Sequence, residues 1–274
     1  VAAQAEQWDV TAYFRYCGQH LGIHMMVGLG DKGGVTELLD DLPFLVDHPN
    51  ATTQSTPLMA AVSTHRCEMI PFLASRGATM DMINIEGNSA MALALRLGYL
   101  DCAEALLDAG DTVDQVRMTG SERTLLNEAI RNNTLDVVTF MLEKGADPNR
   151  SAVHGRQPLH VAVDINDPEK VNVLLKHGAA PGGKNEAGLS PFLVAAQRGL
   201  RPLVESMIAQ GVGMDQTTAA GETALHLAAA EGHEDSVALL LEKGANVLRE
   251  DHQKRSPLHR AAMAGHVAVA RQLL

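Results

Sequence analysis

Gly221-Glu222-Thr223-Ala224-Leu225-His226-Leu227-Ala228-Ala229-Ala230 is the stretch whose reading decides the fold. Thr223 precedes an apolar run and can accept a backbone N–H as a helix N-cap. Gly232-His233 then breaks the helix, and Val237, Leu240 and Leu241 recur at helical spacing up to Lys243-Gly244, where glycine takes the C-cap position. The unit is helix, turn, helix, loop. Small residues such as Ala228 and Ala229 let paired helices approach closely, and neither helix can bury its apolar face without a neighbouring copy.

Such copies exist on both sides. The signature starts again at Thr56-Pro57-Leu58, Ser89-Ala90-Met91, Thr124-Leu125-Leu126, Gln157-Pro158-Leu159-His160, Ser190-Pro191-Phe192 and Ser256-Pro257-Leu258-His259. Five of the six intervals are 33 residues and one is 35. Pro158, Pro191 and Pro257 fall at the first helical position, where a missing N–H costs nothing. A second ladder, Gly77, Gly110, Gly145, Gly178, Gly211 and Gly244, keeps the same intervals, including the long one. Two motifs holding register through one shared insertion mark a repeat array.

This chain resembles the ankyrin repeat family over residues 56–274, through the Thr-Pro-Leu-His signature and the Gly-Ala ladder. The resemblance implies an all-α solenoid of stacked helix-turn-helix-loop units, a right-curving array with a concave face. Repeats start near 56, 89, 124, 157, 190, 223 and 256, the last incomplete. Residues 21–55 match a divergent repeat and linker, with Gly30, Val35, Leu38 and Leu39 in register and His24 in the slot of the signature histidine. Residues 1–20, rich in aromatics at Trp8, Tyr13, Phe14 and Tyr16, suggest a capping helix or a docking element. Leu274 aligns with Leu241 inside a second helix, and Arg271-Gln272-Leu273-Leu274 offers no polar cap, so further repeats or another domain are expected.

Composition agrees with thin helical layers: 46% of residues are hydrophobic and only 3% aromatic. Cys17, Cys67 and Cys102 are irregularly spaced and cannot all pair, which predicts reduced thiols and a cytoplasmic setting, nuclear or cytoskeleton-associated locations included. No apolar run approaches the roughly 20 residues that span a bilayer, so no membrane insertion is expected, and no signal peptide pattern opens the chain.

Chemistry is hard to find. Gly28-Leu29-Gly30-Asp31-Lys32-Gly33 spells a dinucleotide fingerprint, but it falls between two helices of a repeat instead of after a strand. Cys17, His20 and His24 form a thin metal edge, and His24 already has a structural slot. His160, His226 and His259 hold the signature's fourth position, where the resemblance implies hydrogen bonds to backbone across adjacent loops. His65, His233 and His266, at the inter-helix turn, read as structural too. No nucleophile elbow, His-Glu-x-x-His or paired carboxylates appear, so an enzyme, a cofactor and a metal are not expected.

Function is therefore sought on the surface. The resemblance implies that partners lie along the concave face, at four, three and one residues before each signature start and seven and eight after it. Those thirty-five positions hold six of the chain's fifteen arginines and five acids, against a net charge of −11 for the whole chain. Arg96, Arg123, Arg131, Asn132, Arg156, Ile165, Arg198 and Arg255 are the candidate partner-binding residues. Arg96, Arg123, Arg131 and Arg156 would form a groove for an extended acidic or polar segment of a protein. The bland alternative is that the arginines pair with neighbouring acids and only keep the groove soluble. Nucleic acid is not expected, because the acidic remainder repels phosphate. The expected role is a protein-interaction scaffold or adaptor, in a cytoskeletal or other large assembly. The alternative is a regulatory or substrate-recruiting arm of a larger enzyme or channel. The two extra residues, within Gln115-Val116-Arg117-Met118-Thr119-Gly120-Ser121-Glu122, should make that loop project.

Overall fold

The structure, a computed structural model, describes residues 22–114 and 124–274. The expected capping helix, Cys17, His20, the projecting loop and Arg123 lie outside the described residues. Among the described residues there are sixteen short helices and no strand, only an isolated bridge between Thr217 and Thr223. No helix there is long and apolar enough to cross a membrane. The chain divides into two compact units, separated in sequence between Leu125 and Leu126.

In the first unit, Ile23–Leu29 (α1) and Lys32–Asp41 (α2) form the divergent repeat, followed by a 3-10 turn at Pro43–Asp47. Pro57–Ser63 (α3) with Ile70–Ser75 (α4), and Ala90–Leu97 (α5) with Leu100–Asp108 (α6), are the first two regular layers. First helices pack on first helices, α1 on α3 and α3 on α5, while α4 packs on α6. Of the fingerprint-like glycines, Gly28 lies in α1, Gly30 in the turn at φ 78° and Gly33 in α2, which Asp31 caps, so the motif runs from helix to helix where a dinucleotide site needs a strand first.

The second unit repeats the pattern five times. Its first helices are Leu125–Asn132 (α7), Pro158–Asp164 (α9), Pro191–Gln197 (α11), Ala224–Glu231 (α13) and Pro257–Ala264 (α15). Its second helices are Leu135–Glu143 (α8), Pro168–Lys176 (α10), Arg201–Ala209 (α12), Glu234–Glu242 (α14) and Val267–Leu273 (α16). Each described layer contacts its neighbours, α9 to α11 to α13 to α15 and α8 to α10 to α12 to α14 to α16.

The sequence reasons for these elements are local. Hydroxyls of Thr56, Ser89, Ser190 and Ser256 accept the N–H of Met59, Ala92, Leu193 and His259 at 3.3, 3.2, 3.4 and 3.4 Å. Each such cap is worth about 1 kcal/mol. The ladder from Gly77 to Gly244 takes φ between 82 and 98°, a region where a Cβ is strained, so the second helices stop there. Ala61, Ala94, Ala129, Ala162, Ala195, Ala228 and Ala261 share one register and are at most 2% exposed, which allows first helices to lie close together.

One expectation is overturned. Cys67 and Cys102 form a disulfide, with Cα atoms 4.7 Å apart across adjacent repeats. Spacing along the chain concealed this, because residues 35 apart in a 33-residue repeat become neighbours on consecutive layers. The inter-helix histidines also divide. His233 Nε2 donates to Gln197 O at 2.9 Å and His266 Nε2 to Ala230 O at 3.1 Å, each ring passing over the Gly199 or Gly232 turn of the preceding repeat. His65 sits one register position earlier, where Gly98, Gly199, Gly232 and Gly265 stand, at φ 56°. It bonds Asp101 of the next repeat instead, at 2.9 and 3.0 Å.

Candidate functional site

The loop tips are built from a backbone pattern that recurs through the array. Five residues before a signature start, an N–H donates to the carbonyl of the residue just before that start, as in Asn84 to Asn88, Asn185 to Leu189, Thr218 to Glu222 and Asp251 to Arg255, at 2.9–3.0 Å. The side chain of that first residue then accepts N–H groups of its own tip. Asn84 Oδ1 takes Glu86 and Asn88, Thr218 Oγ1 takes Ala220 and Glu222, and Asp251 Oδ1 takes Gln253 and Arg255. Consecutive tips join edge to edge through Ile85 N–H to Thr53 O, Glu186 N–H to His154 O and His252 N–H to Ala220 O, at 2.9–3.0 Å.

The signature histidines tie this edge to the helices. His160 Nε2 donates to Leu189 O at 3.0 Å, His226 Nε2 to Arg255 O at 3.0 Å, and His24 Nε2 to Ser55 O at 2.8 Å. In each case the acceptor is the residue just before the next signature start. On the other ring nitrogen, Nδ1 accepts the N–H of Gln157, Thr223 or Ser256 at 3.3, 3.2 and 3.2 Å, the last for His259. Burial pushes His24, His160 and His226 below the ordinary imidazole value, against the opposing pull of the carbonyl each one bonds. A neutral ring is required, because Nδ1 must keep its lone pair to accept an amide.

His226→Ala leaves the Thr223 N–H without its ring acceptor and takes one of two donors from the Arg255 carbonyl, which keeps the Asp251 N–H. The orphaned amide costs about 1–3 kcal/mol and the lost bond to the carbonyl about 1 kcal/mol more. A loss of roughly 2–4 kcal/mol in the unfolding free energy is expected from urea titration.

Arginine placement differs from one candidate to the next. Arg96 Nη1 bonds Glu86 Oε2 at 3.1 Å, and Asn88 Nδ2 donates to the same oxygen at 2.9 Å. Arg156 and Arg198 share one carboxylate, Asp164, with Arg198 Nη1 at 3.2 Å from Oδ1. Arg131 and Asn132 end α7 exposed, and Arg131 has no ion-pair partner among the described residues. Ile165 is the half-buried C-cap of α9. Arg255 is held on Asp251 at 2.7 Å, with Glu222 at 3.9 Å, and Arg260 reaches Glu222 at 3.0 Å. Exposed apolar side chains stand on the same register positions: Ile85, Leu97 and Met263.

Burial opposes ionisation of Asp251, but the Arg255 side chain and the N–H groups of Arg255 and Gln253 outweigh it and hold the carboxyl at about 2. These shifts set the pH response of the second unit. The histidines bind protons more weakly folded than unfolded, so stability is full above the ordinary value of 6.5 and falls as pH drops below it. Asp251 adds a second fall, from the ordinary 3.8 down through about 2. A thermal midpoint measured from pH 8 to about pH 2 should show both arms, and Asp251→Asn should remove the lower one.

A second constellation went unnoticed in the sequence. His65, Cys67, Asp101 and Cys102 place four ligand-type atoms within 4.8 Å of one another. The His65 ring stacks on Tyr99, with centroids 4.0 Å apart and planes 6° from parallel. The His65 hydrogen bond, opposed by partial burial, holds Asp101 below the usual carboxylate range. Counting repeat register would have found the cluster, since His65 and Cys67 fall at one inter-helix turn and Asp101 and Cys102 just after the next. The tip-anchoring positions Asn84, Asn185, Thr218 and Asp251 would have emerged from the same count.

Comparison with known proteins follows the same architecture. A family model for ankyrin repeats matches in three copies, over residues 23–117, 113–185 and 192–274. The solved ankyrin repeat domain of Bcl-3 is 28% identical and superposes with a TM-score of 0.71, covering 81% of this chain and 98% of that one. Human B-cell lymphoma 3 protein is 30% identical over 146 residues, 52% of this chain and 30% of that protein. Alpha-latroinsectotoxin-Lt1a of Latrodectus tredecimguttatus is 25% identical over 160 residues, 58% of this chain but only 11% of the toxin. The chain thus spans a tenth to a third of the length of these curated relatives. Ankyrin repeat domains are generally protein-binding modules and typically non-catalytic. Matched by that family model over most of its length, the chain belongs to the ankyrin repeat family.

Proposed function

We propose that the second unit is a protein-interaction scaffold that captures an extended acidic or polar segment of a partner along its tips and first helices. The observation that carries this is the charge arrangement beside α9. Two guanidinium groups, on side chains 36% and 43% exposed, converge on the single carboxylate of Asp164, and Arg131 is exposed nearby in sequence. Arg198 also donates to the Asp164 carbonyl, so both guanidinium groups are anchored while partly exposed, and an incoming carboxylate would meet positive charge that is already positioned. Arg96, bound to Glu86, offers the same chemistry on the first unit, while Arg255 mainly fixes its own tip. Ile165, Met263 and Asn132, on the candidate register positions of their own repeats, would add apolar and polar contacts. Because the described tips of the second unit are held by hydrogen bonds, little ordering cost accompanies binding there.

The acidic balance of the chain disfavours nucleic acid. We place the protein in the cytoplasm, in a cytoskeletal or other large assembly, where the Cys67–Cys102 pair would be held reduced. A second reading, a recruiting arm of a larger enzyme or channel, draws on relatives several times longer than this chain.

The test is a panel of labelled extended peptides of equal length, graded from acidic to basic. Acidic members should bind, more weakly as salt rises. Arg131→Glu with Arg156→Glu should cut affinity about ten- to a hundredfold, the loss of one or two charge-assisted contacts. Unchanged affinity would reject the groove.

A further inference from the structure

We propose that, once the Cys67–Cys102 bond is reduced, Cys67, Cys102, His65 and Asp101 bind a zinc-class divalent cation. The first two regular repeats would then be clamped by a metal under reducing conditions and by a disulfide under oxidising ones.

The ligand atoms, two sulfurs, one imidazole nitrogen and one carboxylate oxygen, already lie within 4.8 Å of one another. Tetrahedral zinc, with bonds of about 2.0–2.3 Å, sets ligand atoms about 3.3–3.8 Å apart. The oxygen and nitrogen therefore need to draw in by only about 1 Å, while the two sulfurs separate as their bond breaks. Two thiolates select this class of ion over magnesium or calcium, which prefer oxygen-only sites.

The surroundings match what such a site needs. Stacking on Tyr99 fixes the plane of the His65 imidazole, whose Nε2 is the atom facing Asp101. Orientation of a ligand ring by a neighbouring group is the usual second layer of a metal site. The Cys102 N–H donates to Asp101 Oδ1 at 2.9 Å, which holds the carboxylate at the helix start. Cys102 is buried, while the His65 and Asp101 side chains are 48% and 62% exposed, so an ion has a path in from solvent. His65 also departs from its repeat register: the equivalent Gly98, Gly199, Gly232 and Gly265 have no side chain to offer.

The chemistry balances in two steps. A dithiol reductant gives two electrons and two protons to the disulfide and itself becomes a disulfide, leaving Cys67 and Cys102 as thiols. The cation then displaces both thiol protons and bonds the two thiolates, His65 Nε2 and one Asp101 oxygen.

The experiment uses the full chain with Cys17→Ser, so that only these two thiols remain. After reduction with a phosphine, removal of the reductant and anaerobic titration with Co2+, thiolate-to-cobalt charge-transfer and tetrahedral d–d bands should appear. They should saturate at one ion per chain and be displaced by Zn2+ but not by Mg2+. The oxidised chain should give no such bands. Asp101→Asn and His65→Gln, checked for unchanged far-ultraviolet circular dichroism, should each weaken binding by at least the ~10-fold that loss of an outer-shell partner costs. Absence of thiolate-to-cobalt bands in the reduced chain would overturn the proposal. So would bands of unchanged affinity in both variants, since cysteines alone would then hold the ion.

Discussion

Phe192→Ala is expected to remove about 3–5 kcal/mol from the stability of the second unit, the usual cost of emptying a buried phenylalanine site. Phe192 is wholly inaccessible and is the largest of the fully buried side chains among the described residues. It occupies the third signature position, where neighbouring repeats carry Leu159 and Leu225. Its helix, α11, packs on α9, α12 and α13, so the void would open where three helices meet. Because each layer contacts only its neighbours, the loss should act on the α9–α14 layers first. Urea unfolding followed by amide exchange would show early opening there. A loss below about 1 kcal/mol would mean that the layers collapse into the void far more readily than buried sites generally do.

Reducing the Cys67–Cys102 bond is expected to lower the stability of the first unit by about 3–4 kcal/mol in the absence of added metal, from the chain entropy released by a loop of this length. The bridge spans 35 residues and joins the 3-10 turn at Cys67–Met69, just before α4, to α6 of the next layer, and α4 and α6 also touch. Chemical denaturation with and without a dithiol reductant measures this directly. Cys67→Ser and Cys102→Ser together should reproduce the reduced midpoint, and neither treatment should change the response of the second unit. Equal midpoints for oxidised and reduced chains would show that helix packing alone sets the stability of those layers.

Most of the architecture was legible because a fixed period carries it. A helix start, an inter-helix break and a C-terminal glycine recur at set offsets, and each has a local physical cause that one copy already displays, as residues 221–244 do. The histidine slot was legible for the same reason, and His24 fills it although its repeat is divergent. What stayed hidden depends on contacts between repeats. The disulfide needs the 35-residue offset translated into a lateral step between layers. His65 reads like His233 and His266 until its register is counted, one position short, where a ring can no longer reach the preceding carbonyl. The partners of the arginines were equally invisible: nothing along the chain says that Arg156 and Arg198 share Asp164, because that geometry is set by how α9 and α11 pack. The polar anchors Asn84, Asn185, Thr218 and Asp251 were overlooked because they vary in identity while keeping one function, acceptance of tip N–H groups.

The central claim is that the tips and first helices are the working surface, with arginines as its contact groups. Amide hydrogen exchange of the full chain, with and without a saturating acidic peptide selected from the graded panel, tests it most directly. The account predicts slowed exchange at residues 151–156 and 185–189 and at the ends of α7, α9 and α11, with the outer helices α8, α10 and α12 unchanged. Protection confined to α8, α10 and α12 would contradict it.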